Sequence, residues 1–250
     1  MNKTLWRRCI SEQSIPRYPC PRCSNGNLVR REDSFIQRQP KYIRFDENGT
    51  TRELRPRKFA MLLDCNNPAC GEVVAVSGAG HDILEEDGEG HTEVFGYLAP
   101  MSMWPPPPIF KINKRFPQEV VDEIDLSFQL YWADPRVAAS RLRTSLERLM
   151  DHFKVAKTRV MKPNPNKPGK RMRLDLSARI DKFAKKINTT KYSEMLHALR
   201  VVGNLGTHGE RVTTRKILDA YQLYEMALNQ IFEDKTQSME AIIKRLKSKR

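Results

Sequence analysis

The spacing of apolar residues changes character near residue 115. Before that point they come in short alternating or clustered runs of the kind strands use, in "NLVRRED", "SFIQRQ", "KYIRF", "TTREL", "KFAMLLDC" and "EVVAV". Asn48-Gly49, between "KYIRF" and "TTREL", marks a hairpin turn. After it the recurrence is every three or four residues, as on one face of a helix. Val120, Val121, Ile124, Phe128 and Tyr131 form a first stripe behind Pro117, and Ala138, Leu142, Leu146, Leu149 and Met150 a second behind Asp134-Pro135, a good cap and first-turn pair. Leu176, Ile180, Phe183 and Ile187 make a third. Met195, Leu196, Leu199 and Val202 make a fourth, and Ile217, Tyr221, Tyr224, Leu228 and Ile231 a fifth. The terminal "SMEAIIKRLKSKR" adds a basic helical tail.

These periods predict an α+β chain, a small β domain over 1–100 followed by an antiparallel helical bundle over 116–250. Residues 101–115 hold four consecutive prolines, Pro105 to Pro108, and read as a stiff linker, with Trp104 and Phe110 expected to anchor it to the helices. Glycine and acid dominate residues 77–94, which predicts a solvated loop carrying His81 and His91.

Composition narrows the functions. The formal net charge is +14, yet residues 1–100 hold 14 basic and 14 acidic side chains, so the whole excess lies in residues 101–250. A basic part beside a neutral one favours a polyanionic partner, RNA or DNA, over an acidic protein. No apolar run is long enough for a membrane span, and "MNKTLWRRCI" lacks the apolar core of a secretory signal. The expected compartment is the cytoplasm, with no membrane partner.

Four of the five cysteines fall in two pairs, Cys20 with Cys23 in "CPRC" and Cys65 with Cys70 in "CNNPACG". In a reducing compartment such pairs predict a metal site in preference to disulfides. Four thiolates close a tetrahedron, so the expectation is one structural Zn2+ per chain. Cys9 is left over as an ordinary thiol. Strands feeding two cysteine turns describe a zinc ribbon, and "LLDCNNPACGEVVAV" resembles the zinc-ribbon family of phage late-transcription activators (Ogr/Delta type). The strands also carry Arg30, Arg31, Arg38, Lys41, Arg44, Arg52, Arg55, Arg57 and Lys58, which suit either phosphate contact or a protein-docking surface.

The most cationic stretch is "KVAKTRVMKPNPNKPGKRMR", with Lys154, Lys157, Arg159, Lys162, Lys167, Lys170, Arg171 and Arg173 and no acid from Lys154 to Leu174. Its prolines and glycine block a helix, which predicts a loop or arm able to meet phosphates. Arg211 and Arg215 extend the candidate nucleic-acid contacts.

"FPQEVVDEIDLSFQLY", "AASRLRTSLERLM", "LSARIDKF" and "LRVVGNLGTHG" resemble domain-of-unknown-function family 4145, a bacterial family grouped with HEPN-type helical domains. The resemblance implies a helical bundle, a homodimer through that bundle, and a place in anti-phage defence or restriction beside a defence-system protein partner. HEPN ribonucleases use an arginine followed by a polar residue and a histidine. Here the corresponding row is Arg200, Asn204 and His208, with Gly203 where the family places its arginine. On a helix that row drifts about 80° and spans about 12 Å, too long for one phosphate to meet both ends. As a site it would be catalytic, with His208 as acid/base. As structure, His208 would cap a helix end, Gly203 and Gly206 would admit a neighbouring helix, and Asn204 would bond across that contact. Three functions follow: a non-catalytic nucleic-acid-binding module, a metal-independent endoribonuclease, or a protein-docking adaptor.

Overall fold

The computed structural model describes residues 1–41, 54–86, 92–160, 171–186, 191–207, 211–232 and 246. The chain divides into two compact units, residues 1–109 with 125–138, and residues 110–124 with 139–250. The class is mixed α+β, with an antiparallel sheet in the first unit and helices dominating the second.

The sheet contains β1 (Ile10–Ser11), β2 (Leu28–Arg30), β3 (Ile36–Arg38), β4 (Leu54–Cys65), β5 (Val73–Glu86) and β6 (Thr92–Trp104). Its order is β1-β6-β5-β4-β2, all antiparallel, and β3 also pairs with β4. Period-2 alternation sets the buried face: Phe59, Met61 and Leu63 on β4, and Val74 and Val76 on β5. The expected loop at 77–94 is corrected here. β5 runs on to Glu86 and pairs with β6 from Ala75↔Trp104 to Glu86↔Thr92, so the glycines of "SGAGH" are strand residues. A register shift between Ser77 and Gly78 absorbs the irregularity. His81 stacks on Tyr97 across this pair, with ring centroids 6.4 Å apart. Met101 to Trp104, expected in the linker, complete β6. Trp104 is 63% exposed at the end of that strand. The Asn48-Gly49 turn and His91 lie outside the described residues.

The N-terminal segment closes the core of this unit. Trp6 is 1% exposed and packs with Tyr18 and Trp132, with ring centroids 5.4, 6.2 and 5.6 Å apart. The Tyr131 hydroxyl donates to the Trp6 carbonyl, and Arg8 donates to the Trp132 carbonyl at 2.6 Å. Trp132 and Tyr131 end α1 (Gln118–Ala133), so the arginine meets free carbonyls at a helix C-terminus.

The remaining helices are α2 (Pro135–His152), α3 (Leu176–Lys186), α4 (Lys191–Thr207) and α5 (Thr214–Phe232). The described residues of the five helices follow the predicted stripes, while Ile187 and all of the expected C-terminal tail but residue 246 lie outside the described residues. Asp134 caps α2 as its carboxylate accepts from the Arg136 amide at 2.8 Å. In the second unit, Val120, Leu142, Leu146, Ile180, Phe183, Leu196 and Leu228 lie in the core. Phe110 is buried against Tyr221, with ring centroids 6.3 Å apart. One polar link crosses the core. The Ser145 hydroxyl contacts both the Val120 carbonyl, at 3.1 Å, and the Tyr224 hydroxyl, at 2.8 Å. Burial pushes the Tyr224 phenol far above its ordinary pKa, so it stays neutral. Between α2 and α3 the chain forms a ribbon, β7 (Thr158–Val160) paired with β8 (Arg171–Arg173), where the sequence predicts only a loop.

Ser145→Ala strands the Tyr224 hydroxyl in an apolar core and should cost about 1–3 kcal/mol. Tyr224→Phe added to it should recover part of that loss. Urea titration of the single and double variants measures both.

Candidate metal centre and cationic cleft

The two cysteine pairs meet. Cys20, Cys23, Cys65 and Cys70 place their sulfurs within 4.8 Å of one another, with Cys20–Cys70 and Cys23–Cys65 each at 3.7 Å. A disulfide needs about 2.05 Å. A regular tetrahedron with metal–sulfur bonds of about 2.3 Å has edges of about 3.8 Å, and the observed spacing fits it.

The turns that present the sulfurs are stitched by backbone bonds. The Cys20 amide donates to the Gly26 carbonyl at 2.9 Å, and the Cys65 amide to the Glu72 carbonyl at 2.9 Å. Leu28↔Cys65 pairing and the Asn66 amide bond to the Asn27 carbonyl hold one turn beside the other. Gly26 is needed because a Cβ there would lie 2.4 Å from the Cys65 sulfur. The Gly26 amide donates to the Cys23 sulfur at 3.3 Å and the Asn67 amide to the Cys65 sulfur at 3.4 Å. Bonds from the Asn25 and Gly26 amides bring the Cys23 thiol down to about 6. Burial pushes the Cys20, Cys65 and Cys70 thiols up. Four sulfurs at this spacing could hold a metal ion, and as thiolates the donor set would suit a soft divalent ion bound without an open position. Cys9 is exposed and apart from the cluster.

Three of the cations around these strands are engaged. Arg31 grips Asp64 with two bonds of 2.8 Å. Arg57 pairs with buried Asp82 at 2.5 Å and with Glu12 at 3.4 Å. Arg30 lies over the Phe35 ring. Arg44 and Arg52 lie outside the described residues.

In the second unit a cleft of about 670 Å³ opens between α2, α3 and the base of the β7–β8 ribbon. Arg143, Arg148, Lys157, Arg173 and Arg179 line it, with Glu147, Asp151 and Asp175. Arg179 is 6% exposed and donates to Asp151 at 2.6 Å and to the Val155 carbonyl at 3.2 Å. Lys157 reaches the same carboxylate at 2.9 Å. Burial raises the Asp151 pKa, but the bonds from Lys157 and Arg179 outweigh it, and the group lies below its ordinary value.

Of the cationic residues that the sequence singles out, Lys157 and Arg173 line this cleft. Arg159 and Arg171 are exposed on the ribbon, and Lys154 is exposed just after α2. Arg211 and Arg215 are exposed at the start of α5, away from the cleft lining. Lys162, Lys167 and Lys170 lie outside the described residues. The sequence reading missed Arg148 and Arg179. The signal for Arg179 was present, because three residues after Leu176 and four before Phe183 it falls on the apolar face of α3, where a cation needs a partner.

His208 lies outside the described residues. Arg200 and Asn204 sit on α4. Arg143 donates to the Asn204 side-chain oxygen at 2.8 Å and to Glu147 at 2.6 Å. A Cβ on Gly203 would lie 2.5 Å from the Arg143 Cβ and 3.2 Å from the Ala139 carbonyl, so glycine there lets α2 and α4 touch. The Arg200 Nε is buried with no partner among the described residues.

Protein purified without chelator should carry about one metal ion per chain, and Cys65→Ser should lower that content. Gly26→Ala should do the same by displacing the Cys65 sulfur. Elemental analysis reads all three. In the second unit the depressed Asp151 pKa stabilises the fold above the ordinary carboxylate pKa, and that contribution is lost as pH falls through the lower folded value. Asp151→Asn should cost about 1.5–3 kcal/mol near neutral pH and flatten the acid limb of stability against pH, followed by urea midpoints.

Residues 126–249 match the model of the family described as domain of unknown function (DUF4145), and residues 8–95 match that of domain of unknown function (DUF8608). No curated protein matches the chain, and no solved structure does. Among the described residues no helix is long and apolar enough to cross a membrane. The DUF4145 match begins inside α1 and runs through α2 to α5, so it supports that family for the helices that carry the cleft and the Gly203 contact.

Proposed function

We propose that this is a cytoplasmic nucleic-acid-binding protein with a zinc-stabilised N-terminal module and a HEPN-like helical part that binds phosphate without cutting it. The observation that carries the reading is the β7–β8 ribbon. All six of its strand residues are exposed, and Arg159, Arg171 and Arg173 alternate with Thr158, Val160 and Met172. A two-stranded ribbon of this width fits a nucleic-acid groove, and its guanidiniums suit phosphate and base edges. The +14 charge excess, confined to residues 101–250, supports the same partner. The four-sulfur geometry supports zinc. The resemblance to family 4145 is what suggests a homodimer and an anti-phage or restriction setting.

The endoribonuclease alternative rests on Arg200, Asn204 and His208. The Asn204 oxygen already accepts from Arg143, which favours the packing role for that residue.

Labelled oligonucleotides should bind with an affinity that falls steeply with salt. Arg159→Ala with Arg171→Ala should weaken binding and reduce the log–log slope by up to about 2. Anisotropy titrations at several salt concentrations test this, and a flat salt response would favour a protein-docking adaptor. Incubation with structured RNA in EDTA, beside His208→Ala, separates the ribonuclease. Cleavage by the parent chain and not by the variant would overturn the non-catalytic reading.

A further inference from the structure

We infer that the cleft between α2, α3 and the ribbon base is a nucleotide-phosphate pocket, with Arg148 and Arg173 as its phosphate ligands. The inference rests on the reading of the second unit as phosphate-binding and names the group that the unit grips.

The charges inside the cleft do not cancel. Five cations face three carboxylates, and each carboxylate is already committed. Glu147 holds Arg143, Asp151 holds Arg179 and Lys157, and Asp175 accepts from the Ala178 amide at 2.8 Å. Arg173 has no ion pair among the described residues. The contact from Arg148 to Glu123 is long, at 3.7 Å, and Glu123 also serves Arg141. Two guanidiniums therefore line the space with charge to spare.

The wall behind them is built for fixed geometry. Arg179 is a buried cation tied to both a carboxylate and a backbone carbonyl. The Leu174 amide donates to the Lys157 carbonyl at 2.8 Å, and Thr158 pairs with Arg173. These bonds lock the two strand ends that carry Lys157 and Arg173 side by side.

Volume and lining select the ligand. About 670 Å³ exceeds what one inorganic phosphate fills and lies within the range of small-ligand pockets. The apolar contribution is slight, from Leu174 and Leu176, so the occupant is hydrophilic and anionic. Arginine planes that fork to phosphate and stack on bases suit a nucleotide, free or at the end of a strand.

The test uses the full chain. Calorimetric titration with a nucleoside 5′-monophosphate should give saturable binding that inorganic phosphate and sulfate do not reproduce at equal concentration. Arg148→Gln and Arg173→Gln should each weaken it at least tenfold, with circular dichroism unchanged because both side chains are solvent-facing. Oligonucleotides of one sequence with 5′-phosphate or 5′-hydroxyl ends distinguish the sources. A preference for the phosphorylated end assigns the pocket to strand ends, and equal affinity with retained monophosphate binding assigns it to free nucleotides. Monophosphate binding unaffected by either variant overturns the inference. So does absent monophosphate binding beside intact oligonucleotide binding, and that result leaves the ribbon reading standing. Failure of both ligands to bind overturns both readings.

Discussion

The second unit depends on one carboxylate. Asp151 stands near the end of α2, accepts from Arg179 on α3, and accepts again from Lys157 at the foot of the ribbon. The chain from Lys154 to Leu174 is otherwise without acid, so nothing else within it could offset its own cations. One carboxylate thus links three segments at a shared point. The cost of desolvating Arg179 is met by Asp151 and the Val155 carbonyl together. The cleft follows from this. Its buried cation is neutralised, so the arginines nearer solvent carry the unspent charge.

The first unit uses backbone pairing to a parallel end. Here the constraint is four sulfurs drawn within bonding reach of one ion, and strands β2 and β4 bring the two turns together through Leu28↔Cys65. The sheet does not rest on the cysteines alone. Trp6, Tyr18 and Trp132 fill an aromatic core of their own, and Arg8 closes a helix end against it. Two arginines beside these strands are consumed locally, Arg31 by Asp64 and Arg57 by Asp82. The charge excess lies in residues 101–250, in keeping with the neutral balance of the first hundred residues.

What was legible in the chain was what depends on near neighbours. The helices were readable because each stripe repeats within a few turns, and the Asp134 cap because its bond spans two residues. The cysteine cluster was readable because each pair sits in one turn. The β5–β6 pairing was not, because "SGAGH" has the composition of a loop and is a strand only through hydrogen bonds to a partner some twenty residues later. Trp6 was overlooked for a similar reason. Its partner, Trp132, is more than a hundred residues away, and no local period announces it. The cleft was half legible: Lys157 and Arg173 belong to an evident charge run, whereas Arg148 and Arg179 are scattered among helical stripes and acquire meaning only when α2 and α3 pack.

The row on α4 shows how one residue pattern can serve packing and remain near chemistry. Gly203 is required because α2 comes so close that a methyl group would collide with Arg143. That approach places the Arg143 guanidinium against Asn204, and its other end reaches Glu147. Arg143 and Glu147 also line the cleft. The glycine therefore does more than admit a helix, because it sets the depth at which an arginine of the cleft wall is held. A bulkier residue at 203 would collide with Arg143 and loosen its bond to Asn204, altering the cleft wall. The glycine that stands where the resembled family places its arginine is, on this geometry, a support of the cleft wall.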